Sequence, residues 1–232
     1  MQESIHNLET MNLAGNYNKW IYQTIKPFLG KRILEVGCGI GNMSQFLVDN
    51  ELLIGIDIST EVLDVIKEKF KKTNNIDFFK YNVTDENLAV DLKQYNFDTI
   101  VLINVLEHIK NDMQALINCS KMLLPGGKII VFSPAFQSFF GSIDKADLHF
   151  RRYAKNDIVK TMESSGFKVK KVFYKDMFAV PLWLFHGKVL RTPTHPKGQM
   201  SFFDMFVPFC AFIEKILPPL IGLSIVCIGE KK

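Results

Sequence analysis

An α/β fold built on one mostly parallel sheet is the architecture this sequence predicts, and three observations predict it. Short apolar runs of strand length alternate with segments of helical periodicity from Ile33 to Ser133. The connections between them are short enough for right-handed parallel crossovers. The first run empties into a turn with glycines at Gly37, Gly39 and Gly41, and the second ends on a lone carboxylate, Asp57. With 232 residues, 47% of them hydrophobic, the chain can bury one sizeable core, so a single domain over residues 1–232 is expected.

The net charge of +4 is modest. Lys67, Lys69, Lys71 and Lys72 fall late in a predicted helix, where they suit the negative end of its dipole. No basic block is interleaved with aromatics, so nucleic acid is not an expected partner. The four cysteines, Cys38, Cys119, Cys210 and Cys227, are scattered and form no C-x-x-C pair. That usage suits a reduced, cytoplasmic protein better than a disulfide framework or a zinc site. Residues 1–16 are polar and lack an apolar signal core, so secretion is not expected.

Taking the elements in order, Tyr17, Trp20, Ile21 and Ile25 recur at helical spacing and predict a helix that stops before Pro27. The strand Ile33–Val36 leads through the glycine turn into a helix over 42–49. Glycines there allow positive φ and close approach of a ligand to the main chain, and the helix start presents free N–H groups. The spacing is G-x-G-x-G. A dinucleotide fingerprint needs its last glycine where Asn42 stands. Asp57, closing the strand Leu52–Asp57, is suited to accept hydrogen bonds from both hydroxyls of a ribose. Ser59 or Thr60 caps a crossover helix running to Lys71.

The third strand, Ile76–Lys80, empties into Tyr81–Asp85, and the fourth, Phe97–Ile103, into Asn104–His108. Ligands of open α/β sheets bind beyond such carboxyl ends. A helix over Met113–Leu124 ends at Pro125-Gly126-Gly127, before a fifth strand to Ser133. The link from Pro134 to Arg152 is too long for a simple connection and reads as a functional loop. Asp144, Asp147, His149, Arg151, Arg152 and Tyr153 cluster at its far end. A helix Lys155–Ser165, a strand Phe167–Tyr174, two apolar pieces (177–190 and 202–217) and a last strand Leu223–Ile228 complete the chain. Asp204, Pro208, Glu214, Lys215, Pro218 and Pro219 cut the apolar run below the ~18 residues a membrane span needs. Packing in the core and contact with a membrane surface are its two candidate roles.

Glu35-Val-Gly37-Cys38-Gly39-Ile-Gly41, the following Asp57 and the Leu-Leu-Pro-Gly-Gly turn at 123–127 resemble the class I S-adenosylmethionine-dependent methyltransferases. The resemblance implies a Rossmann-like sheet of about seven strands with helices on both faces and the last strand antiparallel beside the fifth. A helical insertion over 177–220 would precede that last strand. Residues 31–133 would hold the cofactor and 134–232 the acceptor, with residues 1–30 as a helical lid or as packing. Contacts to S-adenosyl-L-methionine would come from Glu35, Gly37, Cys38, Gly39, Gly41, Asp57, Ile58, Asn82, Val83 and Asn104. Relatives carry an acidic residue where Asn82 stands. Its amide oxygen can accept the same adenine hydrogen bond, and an Asx-turn is its other role. Some quinone-modifying relatives hold a divalent cation near Glu107-His108. With Asn104 in place of a further carboxylate, no metal is expected here.

The activity implied is methyl transfer to a small-molecule acceptor, on oxygen, with His149 as the base that removes the acceptor's proton. Arg151, Arg152 and Tyr153 would bind the acceptor; alternatively the whole His-Phe-Arg-Arg-Tyr segment, His149 included, anchors the loop to the following helix, the arginines pairing with Asp144 or Asp147. His186 and His195 are second-line candidates. The His-Phe-Arg-Arg-Tyr segment and the tail from Phe202 resemble bacterial methyltransferases found with glycosyl or lipid pathways, which makes a glycosyl- or lipid-linked acceptor an expectation. Two other readings compete: a non-catalytic regulator that binds an adenosyl ligand, and a nicotinamide-dependent oxidoreductase, which Asn42 disfavours.

Overall fold

A computed structural model describes residues 14–191 and 197–232. The strands are β1 (Arg32–Val36), β2 (Leu52–Asp57), β3 (Ile76–Lys80), β4 (Phe97–Ile103), β5 (Leu123–Pro134), β6 (Phe167–Lys175) and β7 (Ser224–Lys231). They form one seven-stranded sheet in the order β3-β2-β1-β4-β5-β7-β6. Pairings from β3 across to β5 are parallel, and β7 inserts antiparallel to both β5 and β6. The order reverses between β1 and β4, so the carboxyl ends of these two strands open the crevice in which such sheets bind ligands.

Side chains alternate across the sheet, and each face acquires its own helices. Ile33, Leu53, Val101 and Ile130 point to one face and meet Trp20, Ile21 and Ile25 of α1 (Gly15–Ile25), Leu47 of α2 (Ser44–Leu47) and Val207 of α9 (Lys197–Ile216). Leu34, Ile54, Ile100 and Ile129 point to the other. They pack with α4 (Leu88–Leu92), with Ala115, Leu116 and Cys119 of α5 (Asp112–Met122), and with Ile158 and Met162 of α7 (Lys155–Ser164). Between β2 and β3 runs α3 (Thr60–Phe70), whose Leu63 and Ile66 close a smaller cluster with Cys38 and Phe78.

The first helix is thus part of the core, which is the packing role for residues 15–25; residues 1–13 of the expected lid lie outside the described residues. Its N-terminus is held from far along the chain. The Asp204 carboxylate of α9 accepts from the main-chain N–H groups of Asn16 and Tyr17 at 3.1 and 2.9 Å. Nearby, Tyr17 donates its hydroxyl to Asp176 at 3.3 Å, and the N–H of Met177 donates to Glu214 at 2.7 Å. Burial, with the Glu214 charge second, pushes the Asp176 carboxyl up to about 7.

Three boundaries differ from the sequence reading. The helix after the glycine turn begins only at Ser44, because the chain is still turning at Gly41, whose N–H donates to Cys38 O at 3.0 Å. The Leu-Leu-Pro-Gly-Gly segment is not a free turn: Leu123 pairs with Phe97, and a register shift leads to the next pair, Thr99 and Lys128. The long link after β5 carries its own short helix, α6 (Ser142–Ala146). The insertion before β7 comprises α8 (Val180–Leu184), a π-helical turn over Phe185–Leu190, and α9.

Candidate active site

The turn after β1 has the backbone its glycines predict. Gly37, Gly39 and Gly41 have φ of 69°, 52° and 84°, values that L side chains rarely adopt. A Cβ on Gly37 would also lie 2.5 Å from Val105 Cγ2, so the segment following β4 closes directly against the turn. The N–H groups of Gly37 and Cys38 both donate to Ile56 O, at 2.7 and 3.1 Å, tying the turn to β2.

Asp57, at the end of β2, completes the cradle. Its Oδ2 accepts from Gly39 N–H and its Oδ1 from Ser59 N–H, each at 3.0 Å. Each carboxylate oxygen has a lone pair to spare for a hydroxyl. Beside it Ile58 is 68% exposed, an apolar surface suited to the face of a flat ring. At the end of β4, Asn104 takes a positive φ of 53° while its N–H donates to Phe132 O at 2.8 Å.

Of the other residues expected to touch the cofactor, Glu35, Cys38 and Val83 are buried and Asn82 is exposed on the turn after β3. Glu35 is buried and accepts from Ser44 Oγ at 2.5 Å. Burial pushes its carboxyl up to about 8, and the Asp57 charge adds to the rise. Glu35 therefore holds the start of α2 against the turn as a mostly neutral acid at pH 7. Burial likewise raises the Cys38 thiol far above its ordinary range, so Cys38 is packing, not a nucleophile. At Asn82 the Asx-turn is what forms: Oδ1 accepts from Thr84 N–H at 3.0 Å and from Thr84 Oγ1 at 2.8 Å. Val83 is buried, and its carbonyl accepts from Asn118 at 2.9 Å.

A second constellation joins the end of β4 to the loop after β5. His149 Nδ1 lies 2.9 Å from Asp144 Oδ1, and the same oxygen accepts from Arg152 Nε at 2.7 Å. Asp144 Oδ2 accepts from Gly141 N–H at 2.8 Å. Burial pushes the Asp144 carboxyl up, but the hydrogen bond from His149, the charge and hydrogen bond of Arg152 and the Gly141 N–H together outweigh it and hold the group below its ordinary range. One donor atom each of Glu107, His108 and His149 lies within 4.8 Å of the other two. Glu107 is fully buried: Oε2 accepts from Ser133 Oγ at 2.6 Å, while Oε1 has no hydrogen-bond partner. Loss of hydration at the ring, with His149 second, lowers His108 to about 4, so it is neutral. Two imidazoles and a carboxylate form a donor set that fits a divalent cation. Sequence spacing does not show this convergence, because His149 comes from another loop.

The rest of the His-Phe-Arg-Arg-Tyr segment anchors that loop. Arg151 pairs with Asp112 at 2.7 Å and donates to Lys110 O at 2.7 Å. Arg152 is buried against Asp144, with its guanidinium 4.3 Å over the Trp183 ring. Tyr153 is buried and donates to Asp112 at 2.8 Å. Arg152 and Tyr153 are buried with internal partners, an arrangement that fits their expected alternative role as anchors of the loop. Arg151 pairs with Asp112 of α5, not with Asp144 or Asp147. His186 is buried on the π-helical turn, and His195 lies outside the described residues.

Against known proteins, residues 34–129 match the model of a methyltransferase domain. Ubiquinone biosynthesis O-methyltransferase of Dechloromonas aromatica is 34% identical over 114 residues, covering 48% of this chain and 47% of that protein. The enzyme of the same name from Coxiella burnetii is 32% identical over 123 residues, covering 52% and 50%. The chain thus spans about half the length of the curated relatives it matches. A solved S-adenosylmethionine-dependent methyltransferase from Mesorhizobium loti superposes with a TM-score of 0.63 at 14% identity, over 91% of this chain and 98% of that one, a likeness of fold. The matched segment contains the glycine turn, Asp57 and the Glu107-His108 pair, and the sheet order is the expected one. Residues 34–129 are thus similar to a methyltransferase domain, and the sheet has the fold of the solved S-adenosylmethionine-dependent methyltransferase.

Proposed function

We propose that this chain transfers a methyl group from S-adenosyl-L-methionine to an oxygen of a small-molecule acceptor, with His149 taking the acceptor's proton. The observation that carries the reading is the oriented Asp144–His149 pair standing beside Glu107, three residues beyond Asn104 at the mouth of the cradle.

The residues of the turn fit the cofactor: positive-φ glycines admit it close to the main chain, and Asp57 has lone pairs for its ribose hydroxyls. Ile58 offers an apolar face for its adenine. With the Asn82 oxygen engaged by Thr84, adenine recognition falls to Ile58 and the main chain around Val83. When bound, S-adenosyl-L-methionine supplies an electrophilic methyl on a sulfonium. The protein's share is alignment, for which about 7–11 kcal/mol is available from well-oriented reactants.

His149 supplies the proton acceptor. Nδ1–H donated to Asp144 leaves the Nε2 lone pair free to take a proton, and the imidazolium that results faces the carboxylates of Asp144 and Glu107. Asp144, Arg152 and Tyr153 act as positioning residues, and Arg151, about a third exposed, is the one arginine of the segment near enough to solvent to meet an acceptor. The names of the two relatives support oxygen as the methylated atom. Glycosyl or lipid linkage of the acceptor is part of the reading, as is a cytoplasmic site of action, supported by the free thiols of Cys38, Cys119, Cys210 and Cys227.

The test is turnover of methyl-labelled S-adenosyl-L-methionine against hydroxylated aromatic and lipid-linked acceptors. The reading expects S-adenosylhomocysteine and a labelled ether. Cofactor binding without turnover on any acceptor would favour the regulator instead.

A further inference from the structure

Helix α9 is amphipathic the wrong way round for a helix in water. Its inward side carries Asp204, Val207 and Glu214, all buried, with both acids engaged: Asp204 at the start of α1 and Glu214 on Met177 N–H and Lys175. Its outward side carries Met205, Phe209, Phe212 and Ile216, each more than 60% exposed. The spacing i, i+4, i+7, i+11 places these four on one narrow stripe, and Leu220, 88% exposed, extends the apolar surface past the helix end. A monomer in water scatters its exposed apolar side chains singly; a continuous stripe of aromatic and aliphatic groups marks a surface that something covers.

The charge around the stripe says what covers it. From residue 177 to 223 the only acids are Asp204 and Glu214, both turned inward, whereas Lys188, Arg191 and Lys215 are exposed. The exposed charges of this segment, with Lys215 on α9 itself beside Ile216, are therefore all cationic, and an apolar stripe in a cationic segment suits an anionic lipid surface. An isologous pair of copies would bring like charges together around the same stripe. No helix among the described residues is long and apolar enough to cross a membrane, so the contact is with the surface of the bilayer.

We propose that the outward face of α9 and the segment to Leu220 form an interfacial membrane-binding surface selective for anionic lipid. It lies outside the matched methyltransferase domain at 34–129 and outside the site around His149. It deepens the reading of a lipid-linked acceptor, and its failure leaves the methyl-transfer reading intact.

The test is co-sedimentation of the full chain with vesicles of phosphatidylcholine alone and of phosphatidylcholine containing phosphatidylglycerol. The proposal expects binding to the anionic vesicles that is roughly tenfold tighter than to the neutral ones and weakens with added salt. Phe209→Ser with Phe212→Ser should lower that binding at least about tenfold, with S-adenosylhomocysteine affinity and the circular dichroism spectrum unchanged. Should that variant not fold, Lys215→Glu reads the same surface and should weaken the preference for anionic vesicles severalfold. No binding to either vesicle, equal binding to both in the unaltered protein, or a solution dimer that the phenylalanine variant dissociates would overturn the proposal.

Discussion

Nδ1 of His149 stands 2.9 Å from Oδ1 of Asp144, a carboxylate wholly buried beneath the loop that carries both residues. The contact fixes the ring's orientation, in a cluster with Glu107 and His108 beyond the end of β4. His149→Ala should lower kcat by about 10²–10⁴, the usual worth of a positioned base, while cofactor affinity stays nearly intact. Steady-state turnover and calorimetric cofactor binding check the pair of outcomes; unchanged kcat would remove His149 from the chemistry.

Asp144 also neutralises Arg152, which is 3% exposed. Asp144→Ala leaves that guanidinium buried without its carboxylate, so a loss of about 3–5 kcal/mol in urea unfolding is expected. A loss below about 1 kcal/mol would mean that the loop relaxes and solvates Arg152.

Much of the first half of the molecule is legible in the sequence because its determinants are local. Glycines two apart dictate the turn, and the lone carboxylate of an apolar strand dictates where ribose hydroxyls would sit; Asp57 accepting from Gly39 N–H is the link between them. The site around His149 is less legible. Glu107 and His149 are separated by α5, β5 and α6, and nothing in their spacing says that they meet. Arg152 and Tyr153 look like acceptor ligands until burial assigns their donors to Asp144 and Asp112. Asp204 reads as a charge interrupting an apolar helix, and only the fold reveals that it caps a helix 188 positions earlier.

That long-range cap gives a clean stability prediction. Asp204→Ala removes the acceptor for the N–H groups of Asn16 and Tyr17, and a cap of this kind contributes about 1 kcal/mol. Chemical denaturation should register the loss. An unaltered midpoint would mean that the start of α1 finds other partners.

Stability should also depend on pH through Glu35. Its carboxyl is raised from 4.5 to about 8 by burial, so the folded protein binds a proton more tightly than the unfolded chain does. The stabilisation is complete below about pH 4.5 and is lost as pH rises through about 8, with Asp176, raised to about 7, acting in the same direction. Thermal melts from pH 5 to 8 should show this decline, flattened in Glu35→Gln. An identical slope in the variant would contradict the buried, neutral state of Glu35.

Direct binding of S-adenosyl-L-methionine and S-adenosylhomocysteine, by equilibrium dialysis of the full chain and of Asp57→Ala, tests the central claim. Saturable binding is predicted for the unaltered protein, weakened in the variant by about 1–3 kcal/mol, the cost of leaving hydroxyls without a charged acceptor. Retention of neither compound, or equal retention by both proteins, would contradict the assignment of the glycine turn and Asp57 as the cofactor cradle.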